Sequence, residues 1–494
     1  MKKIIIIGGG IAGLSAGIHA RQYGFESVIY EKHSIVGGQC TGWDRKGYHV
    51  DGCIHWLTGT REGTELYDLW ENVGALGNVE IIQQDCFGTY EIDGVTVNLW
   101  KDLNRFQREL TELAPEDTKV IEKMIREIRT LQTMDTPSSM PLSMMTWKEK
   151  VKTVKATVKP MLFLGKLLKT GCGDYGKRFQ SPILRTLFTM ILPDNYSILA
   201  FSYGMAEFSS GNGAIPKGGS RAMALRMEQR YKELGGKVFC NSSAEEIMIE
   251  NGEVKAVRLA DGTIEKADYI IAACDAKVTF DHLLQGRYQD RKYEMRYSNP
   301  GDYPLPTSVQ VAFGVEEDLS SYPYTLVFPV EPFQIGTVRQ PTMSICNYSY
   351  DKDFASEGNT VVITTANQSE EDYLYWEKLY QDKEAYRKEK QRIAEEYLSR
   401  FIKRFPELAG KVHVLDVATP ITYHRYTGAY HGAWMSFMMT TKSKYMSHPG
   451  IIKGLKNCYL TGQWLTPPGG LPIAVTSGKY TVLRIARAEK MKLK

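Results

Sequence analysis

The sequence lacks a long apolar run: nothing in it approaches the roughly 18 consecutive residues that a membrane-crossing helix needs. Its opening, MKKIIIIGGGIAG, has the lysines of a secretory leader, but the apolar stretch Ile4–Ile7 stops at three glycines. A leader needs roughly 7–15 apolar residues, so this start reads as a strand meeting a turn. Cysteines are few and scattered. The eight, at 40, 53, 86, 172, 240, 274, 346 and 458, form no Cys-x-x-Cys and no Cys/His cluster. That argues for a reducing, cytoplasmic setting and against a metal centre or a redox dithiol. No Ser/His/Asp or Cys/His nucleophile arrangement stands out. Neither sign of charge dominates, with 61 Lys and Arg against 57 Asp and Glu, which argues against a nucleic-acid partner.

What is present begins at residue 8. Gly8-x-Gly10-x-x-Gly13 follows the β-branched run directly. Gly8 permits the turn, Gly10 lets backbone approach a pyrophosphate, and Gly13 lets a helix lie close on the sheet. AGLSAGIHARQYG then reads as a helix that aims free N–H groups, from Ile11 and Ala12 on, at phosphates and stops at Gly24. ESVIYEK reads as a second strand, whose closing Glu31 stands 21 residues after Gly10. There it can accept hydrogen bonds from a ribose. A second copy of the pattern, GCGDYG at 171–176, follows a lysine-rich, helix-like stretch instead of a strand. It also places Asp174 where phosphate charge would go, so it reads as chance.

Later features separate FAD from NAD. Gly37-Gly38 and GYHVDGCIH, after the acidic strand, look like the double-glycine signature of FAD enzymes. Far downstream, YLTGQWLTPPGGLPIAVTSGKY repeats strand, glycine turn and helix, with Tyr459–Thr461 the strand and Pro472 at the first helical position. A nicotinamide has no need of this second positive helix terminus. A flavin does, because it gains negative charge on reduction.

These residues resemble the FAD-dependent phytoene desaturase, carotenoid isomerase and retinol saturase superfamily. Four blocks carry the likeness: the N-terminal loop through DGCIHWLTG, the Pro-Lys-Gly-Gly block at 214–276, ATPITYHRYTGAYHGAW at 418–434, and YLTGQWLTPPGG. They span nearly the whole chain. The resemblance implies FAD held by the residues above and by Lys32, Gln39, His55, Trp56, the backbone of Val238, Gly462, Gln463, Gly470, Leu471 and Ile473. Gln39 and Gln463 stand where many members carry a basic and an acidic residue, yet both can hydrogen-bond to pyrophosphate or ribityl groups.

The fold class expected is α/β: a Rossmann-like FAD domain from 1–76, 214–299 and 411–494, plus an α+β substrate domain with a helical cap from 77–213 and 300–410. Within 214–276 the pattern predicts a helix over 218–234, then three strands with Asn251-Gly252 and Asp261-Gly262 as two-residue hairpin turns. Strands are expected near 307–315, 342–348 and 360–366, and one long amphipathic helix after Ser369.

By resemblance the reaction is desaturation, saturation or isomerisation of a carbon–carbon bond in a large apolar, carotenoid- or retinoid-like substrate, held in a long apolar tunnel. Candidate catalytic or substrate-contacting residues are His55, Glu207, Tyr423, Arg425 and Tyr426. The rival readings are a flavin amine oxidase, with Trp434 and Tyr423 as an aromatic cage, and a non-catalytic FAD-bearing lipid-binding protein. One segment stands apart: 148–185 carries ten Lys/Arg against two acids, while the whole chain nets only +4. Its stretch VKPMLFLGKLLKTG suits an anionic membrane surface, so 148–188 is expected as a basic helical segment, peripheral on the inner membrane face. The bland reading is a solvated helical face covering core.

Overall fold

The computed structural model describes residues 1–134, 137–444 and 447–493, the side chains of 152–162 excepted. Five parallel strands form the nucleotide sheet: β1 (Lys3–Ile7), β2 (Glu26–Tyr30), β3 (Lys237–Phe239), β4 (Tyr269–Ala272) and β5 (Cys458–Leu460), in the order β3-β2-β1-β4-β5. Ile4, Ile5 and Ile6 are fully buried because both faces of the sheet are covered. Each such side chain contributes roughly 1.5–3 kcal/mol of burial, which explains a continuous apolar run where a half-exposed strand would alternate.

Helices α1 (Ile11–Gln22), α2 (Gly219–Glu233) and α3 (Leu471–Ala488) cover one face through Ile4, Ile6, Leu14, Met227, Val475 and Val482. The other face packs through Ile5 and Ile7 against a three-stranded antiparallel sheet, Ala244–Glu250, Glu253–Leu259 and Ile264–Lys266. Within 214–276 five strands thus follow α2 where three were expected, because Lys237–Phe239 pairs with β2 and Tyr269–Ala272 pairs with β1, apart from the three-stranded sheet. The first hairpin has the expected two-residue turn, with Asn251 and Gly252 both left-handed. The second does not. Leu259 N–H reaches Thr263 O across three residues, and only Gly262 is left-handed.

A second sheet has seven strands, in the order Val412–Ala418, Thr307–Val315, Thr360–Gln368, Val338–Asn347, Thr325–Ile335, Cys86–Ile92 and Val95–Trp100. Strand Val412–Ala418 belongs here, so a boundary at 411 falls one strand too early for the sheet. The helix after Ser369 is two helices, Glu370–Leu379 and Lys383–Arg404, each with its own N-cap at Ser369 and Asp382. Among the described residues six further α-helices, from Leu103 to Ser209, build a cap around Phe106, Ile128 and Phe188.

The basic segment is the helix Trp147–Leu168, opened by a Thr146–Glu149 capping box. Lys152, Lys155, Lys159, Met161 and Leu162 have side chains outside the described residues. Beyond them Phe163, Leu164 and Leu167 pack on the cap core, while Lys166 and Lys169 are exposed. This half of the helix packs its apolar side on core and leaves these two lysines at the surface. GCGDYG follows it, and Cys172–Gly176 is one short helix.

Candidate functional site

The glycine loop is shaped by exclusion. Gly8 is left-handed at φ 103°, and a Cβ on Gly13 would overlap the Gly8 carbonyl. Gly37 N–H donates to Gly9 O at 2.9 Å, closing the double-glycine turn against the loop. Gly10 caps α1 with extended backbone and no side-chain cap, which leaves the first-turn N–H groups for an anion. The start of α3 is the same: Gly470 supplies the cap with no side chain. The helix begins at Leu471, one residue before Pro472.

The two termini are held together. Ser15 Oγ donates to Val475 O at 2.7 Å, and Gly462 N–H donates to Ser477 Oγ at 2.9 Å. Two uncapped helix starts, a glycine cradle and a buried acid at the end of β2 form a set of donors and acceptors that fits a dinucleotide flavin. Glu31 is 6 % exposed and accepts Gly9 N–H at 2.6 Å and His33 N–H at 2.8 Å. Lone pairs remain for ribose hydroxyls. Val238 lies on β3 opposite Ile29.

Several predicted contacts are spent within the chain. Gln39 Nε2 donates to Ala433 O at 2.9 Å and Thr427 Oγ1 at 3.1 Å. Gln463 Oε1 accepts Gly470 N–H at 3.1 Å, fixing the turn before α3. Lys32 donates to Arg425 O at 3.2 Å, and burial lowers its pKa.

His55 and Trp56 line a cavity of about 230 Å³ between the seven-stranded sheet, the strand Gly213–Pro216 and the cap helix that carries Phe208. The rest of the wall includes Phe87, Tyr90, Phe208, Ile215, Tyr324, Thr325, Ser344, Cys346 and Ile363. It is compact, at the small end of ligand pockets, where a long tunnel was expected. Asp51 sets the position of His55. Its buried carboxylate accepts Cys53 N–H at 2.9 Å, Ile54 N–H at 3.2 Å, Ser220 N–H at 2.7 Å and the Ser220 hydroxyl. Tyr324 OH donates to His55 O at 2.8 Å from the other side.

The imidazole Nδ1 stands 3.7 Å from Cys346 Sγ, so a Cys/His pair exists that spacing alone hid, its members 291 positions apart. Burial works against the imidazolium, but the neighbouring Cys346 outweighs it and brings His55 up to about 9. Burial likewise raises the thiol, and the His55 charge more than offsets this, leaving Cys346 below its ordinary value.

The other candidates fall elsewhere. Glu207 accepts the Asn212 amide N–H at 2.6 Å and closes the turn after its helix, while its neighbour Phe208 reaches the cavity. Tyr423 OH lies 3.3 Å from both Ser308 Oγ and Gln310 Oε1, and burial takes its pKa to about 12. Arg425 and Tyr426 are exposed; Arg425 lies over the Tyr380 and Tyr426 rings. Neither lines the cavity. Asp51 and Cys346 were missed: the first is inside the quoted DGCIH block, the second has no local signal. Among the described residues no His/Cys/Asp/Glu group could hold a metal.

Comparison with known proteins agrees with this geometry. Residues 11–486 match the model of the flavin-containing amine oxidoreductases. A chloroplastic prolycopene isomerase of Daucus carota is 24% identical, covering 98% of this chain and 79% of its own. A 1-hydroxycarotenoid 3,4-desaturase of a Flavobacterium is 25% identical, covering 97% and 98%. Among solved structures, an oxidoreductase from Methanosarcina mazei superposes with TM-score 0.59 at 17% identity, covering 98% of this chain and all of its own. Putrescine oxidase bound to putrescine superposes with TM-score 0.60 at 13% identity, covering 98% and 99%.

Proposed function

The chain belongs to the flavin-containing amine oxidoreductase family and is an FAD-dependent oxidoreductase, and on that premise we propose that it adds, removes or moves carbon–carbon double bonds in an apolar, carotenoid- or retinoid-like substrate. The cavity lining carries the reading. Aromatic and aliphatic groups alternate there with neutral hydroxyls, and among the described residues no Asp, Glu, Lys or Arg lines it. An alkylammonium ion there would meet no carboxylate and would be repelled by the His55 imidazolium, so its burial would be costly. A polyene gives up no hydration there.

Bound FAD supplies hydride exchange with a substrate carbon. The chain does the rest. Glu31 would hold the ribose, and the open starts of α1 and α3 would place positive helix ends at the pyrophosphate and at the flavin ring. Trp56, Phe87 and Phe208 exclude water, and His55 stands where a proton could be taken or given.

Delivery is peripheral in this reading. No helix among the described residues is long and apolar enough to cross a membrane, and a polyene is dissolved in lipid. Trp147 is 78% exposed and Leu142 54% exposed beside the exposed Lys148. Aromatic and basic groups together favour an anionic lipid surface. The test of the main reading is incubation of FAD-loaded protein with carotenoids, retinoids and amines, followed by chromatography. A polyene product of altered unsaturation or geometry is expected. Peroxide formed with amines alone would overturn it.

A further inference from the structure

The cavity holds a nucleophile that hydride chemistry does not use. Cys346 lies in the strand Val338–Asn347 and faces His55 at 3.7 Å across the cavity wall. Two independent supports fix that approach: the Asp51 turn behind His55, and the pairing of Cys346 with Thr325 and Ile363 on the flanking strands. We propose that Cys346 and His55 form a thiolate–imidazolium pair that reversibly captures α,β-unsaturated carbonyl compounds in this cavity.

A histidinium beside a cysteine stabilises the thiolate, the nucleophilic form. The shifts on the two residues point the same way, His55 up and Cys346 down. The other titratable groups facing them are the Asp51 carboxylate, which favours the imidazolium, the Cys53 and Cys86 thiols, and the phenols of Tyr90, Tyr324, Tyr348 and Tyr350. Burial keeps those four phenols neutral. Among the described residues no Lys or Arg lines the cavity to compete for the thiolate.

The step balances without an oxidant or reductant. Sulfur bonds to the β-carbon, the alkene electron pair moves onto the carbonyl oxygen, and His55 passes its proton to the resulting enolate. The adduct is neutral and keeps every atom of the ligand, and the reverse steps release it. Thr325, Ser344 and Thr365 supply hydroxyls in the same cavity for the carbonyl oxygen. An apolar conjugated aldehyde or ketone meets each of these features. This inference concerns a thiol reaction and stands whether or not polyenes are the redox substrate.

The test uses the FAD-loaded full chain with iodoacetamide and trans-cinnamaldehyde as probes, borohydride to trap the adduct, and peptide mass mapping of all eight cysteines. Cys346 should react first at neutral pH, and its alkylation rate should persist well below the ordinary thiol midpoint of about 8.5. His55→Gln should slow Cys346 alkylation at neutral pH by about tenfold and move its midpoint up. Cys346→Ser should abolish the cinnamaldehyde adduct. An ordinary midpoint in the unaltered protein, which needs no variant to fold, would overturn the proposal. So would cinnamaldehyde on other cysteines and none on Cys346.

Discussion

Gly13 has no room for a methyl group, because a Cβ there would overlap the Gly8 carbonyl. Gly13→Ala should therefore displace α1 from the loop and yield protein with little bound FAD, read as flavin absorbance per chain. Glu31→Gln is milder. It keeps a hydrogen-bonding group but loses the charge that Gly9 and His33 N–H now share. Binding should weaken by roughly 1–3 kcal/mol, measured by titrating FAD into the apoprotein. Residues of this kind were legible because their chemistry repeats at fixed spacing. Asp51 was harder: its partner Ser220 lies 169 positions away, and only the fold joins them. Cys346 was not legible at all, since a cysteine in an alternating strand looks like any small core residue. Gln39 and Gln463 look like cofactor donors in the sequence, yet each has a backbone partner that only the fold supplies.

At the scale of elements, α1 and α3 act as a pair. A Cβ on Gly478 would come within 2.5 Å of Ala12 O and 2.8 Å of Ser15 Cβ. Gly478→Ala should push the two helix starts apart, cost about 1–3 kcal/mol of stability and weaken FAD together with it, checked by thermal unfolding with and without added FAD. The buried face of α1 also carries His19, whose Nδ1 meets Ser15 O at 2.8 Å. Burial lowers its pKa from 6.5 to about 4. A base depressed in the folded state favours protonation of the unfolded chain, so stability present above pH 6.5 is lost as pH falls toward 4. The loss is on the order of 3 kcal/mol. His19→Gln should flatten unfolding stability across that window, and an unchanged pH profile would exclude this source. Helix and strand identities were legible where period and glycine agreed. The split at Asp382 was not, because Lys383–Arg404 continues the same charged pattern and only a cap marks the break.

Across the whole molecule, the nucleotide sheet draws its strands from three separated stretches, and the cavity draws its wall from four. Motifs marked the first of these, since phosphate binding needs glycines at set places. Nothing marked the second, because the seven-stranded sheet is ordered by registers between residues 86–100, 307–368 and 412–418. The surface has its own test. Trp147→Ala combined with Lys166→Gln and Lys169→Gln should reduce co-sedimentation with anionic vesicles at low salt, each lysine contributing up to about 1 kcal/mol. FAD content should hold, as these residues lie on the cap. Equal sedimentation of variant and parent would leave the helix as a solvated face. The central claim, flavin redox chemistry on an apolar carbon–carbon bond, is tested most directly by an anaerobic single turnover. FAD-loaded protein, oxidised in one series and photoreduced in the other, is mixed with a carotenoid or retinoid, or with a diamine. The account predicts that flavin and polyene spectra change together, with matched stoichiometry, in one of the two oxidation states, and that the diamine leaves the flavin unchanged. Flavin reduction by the diamine, with the polyene inert in both states, would contradict it.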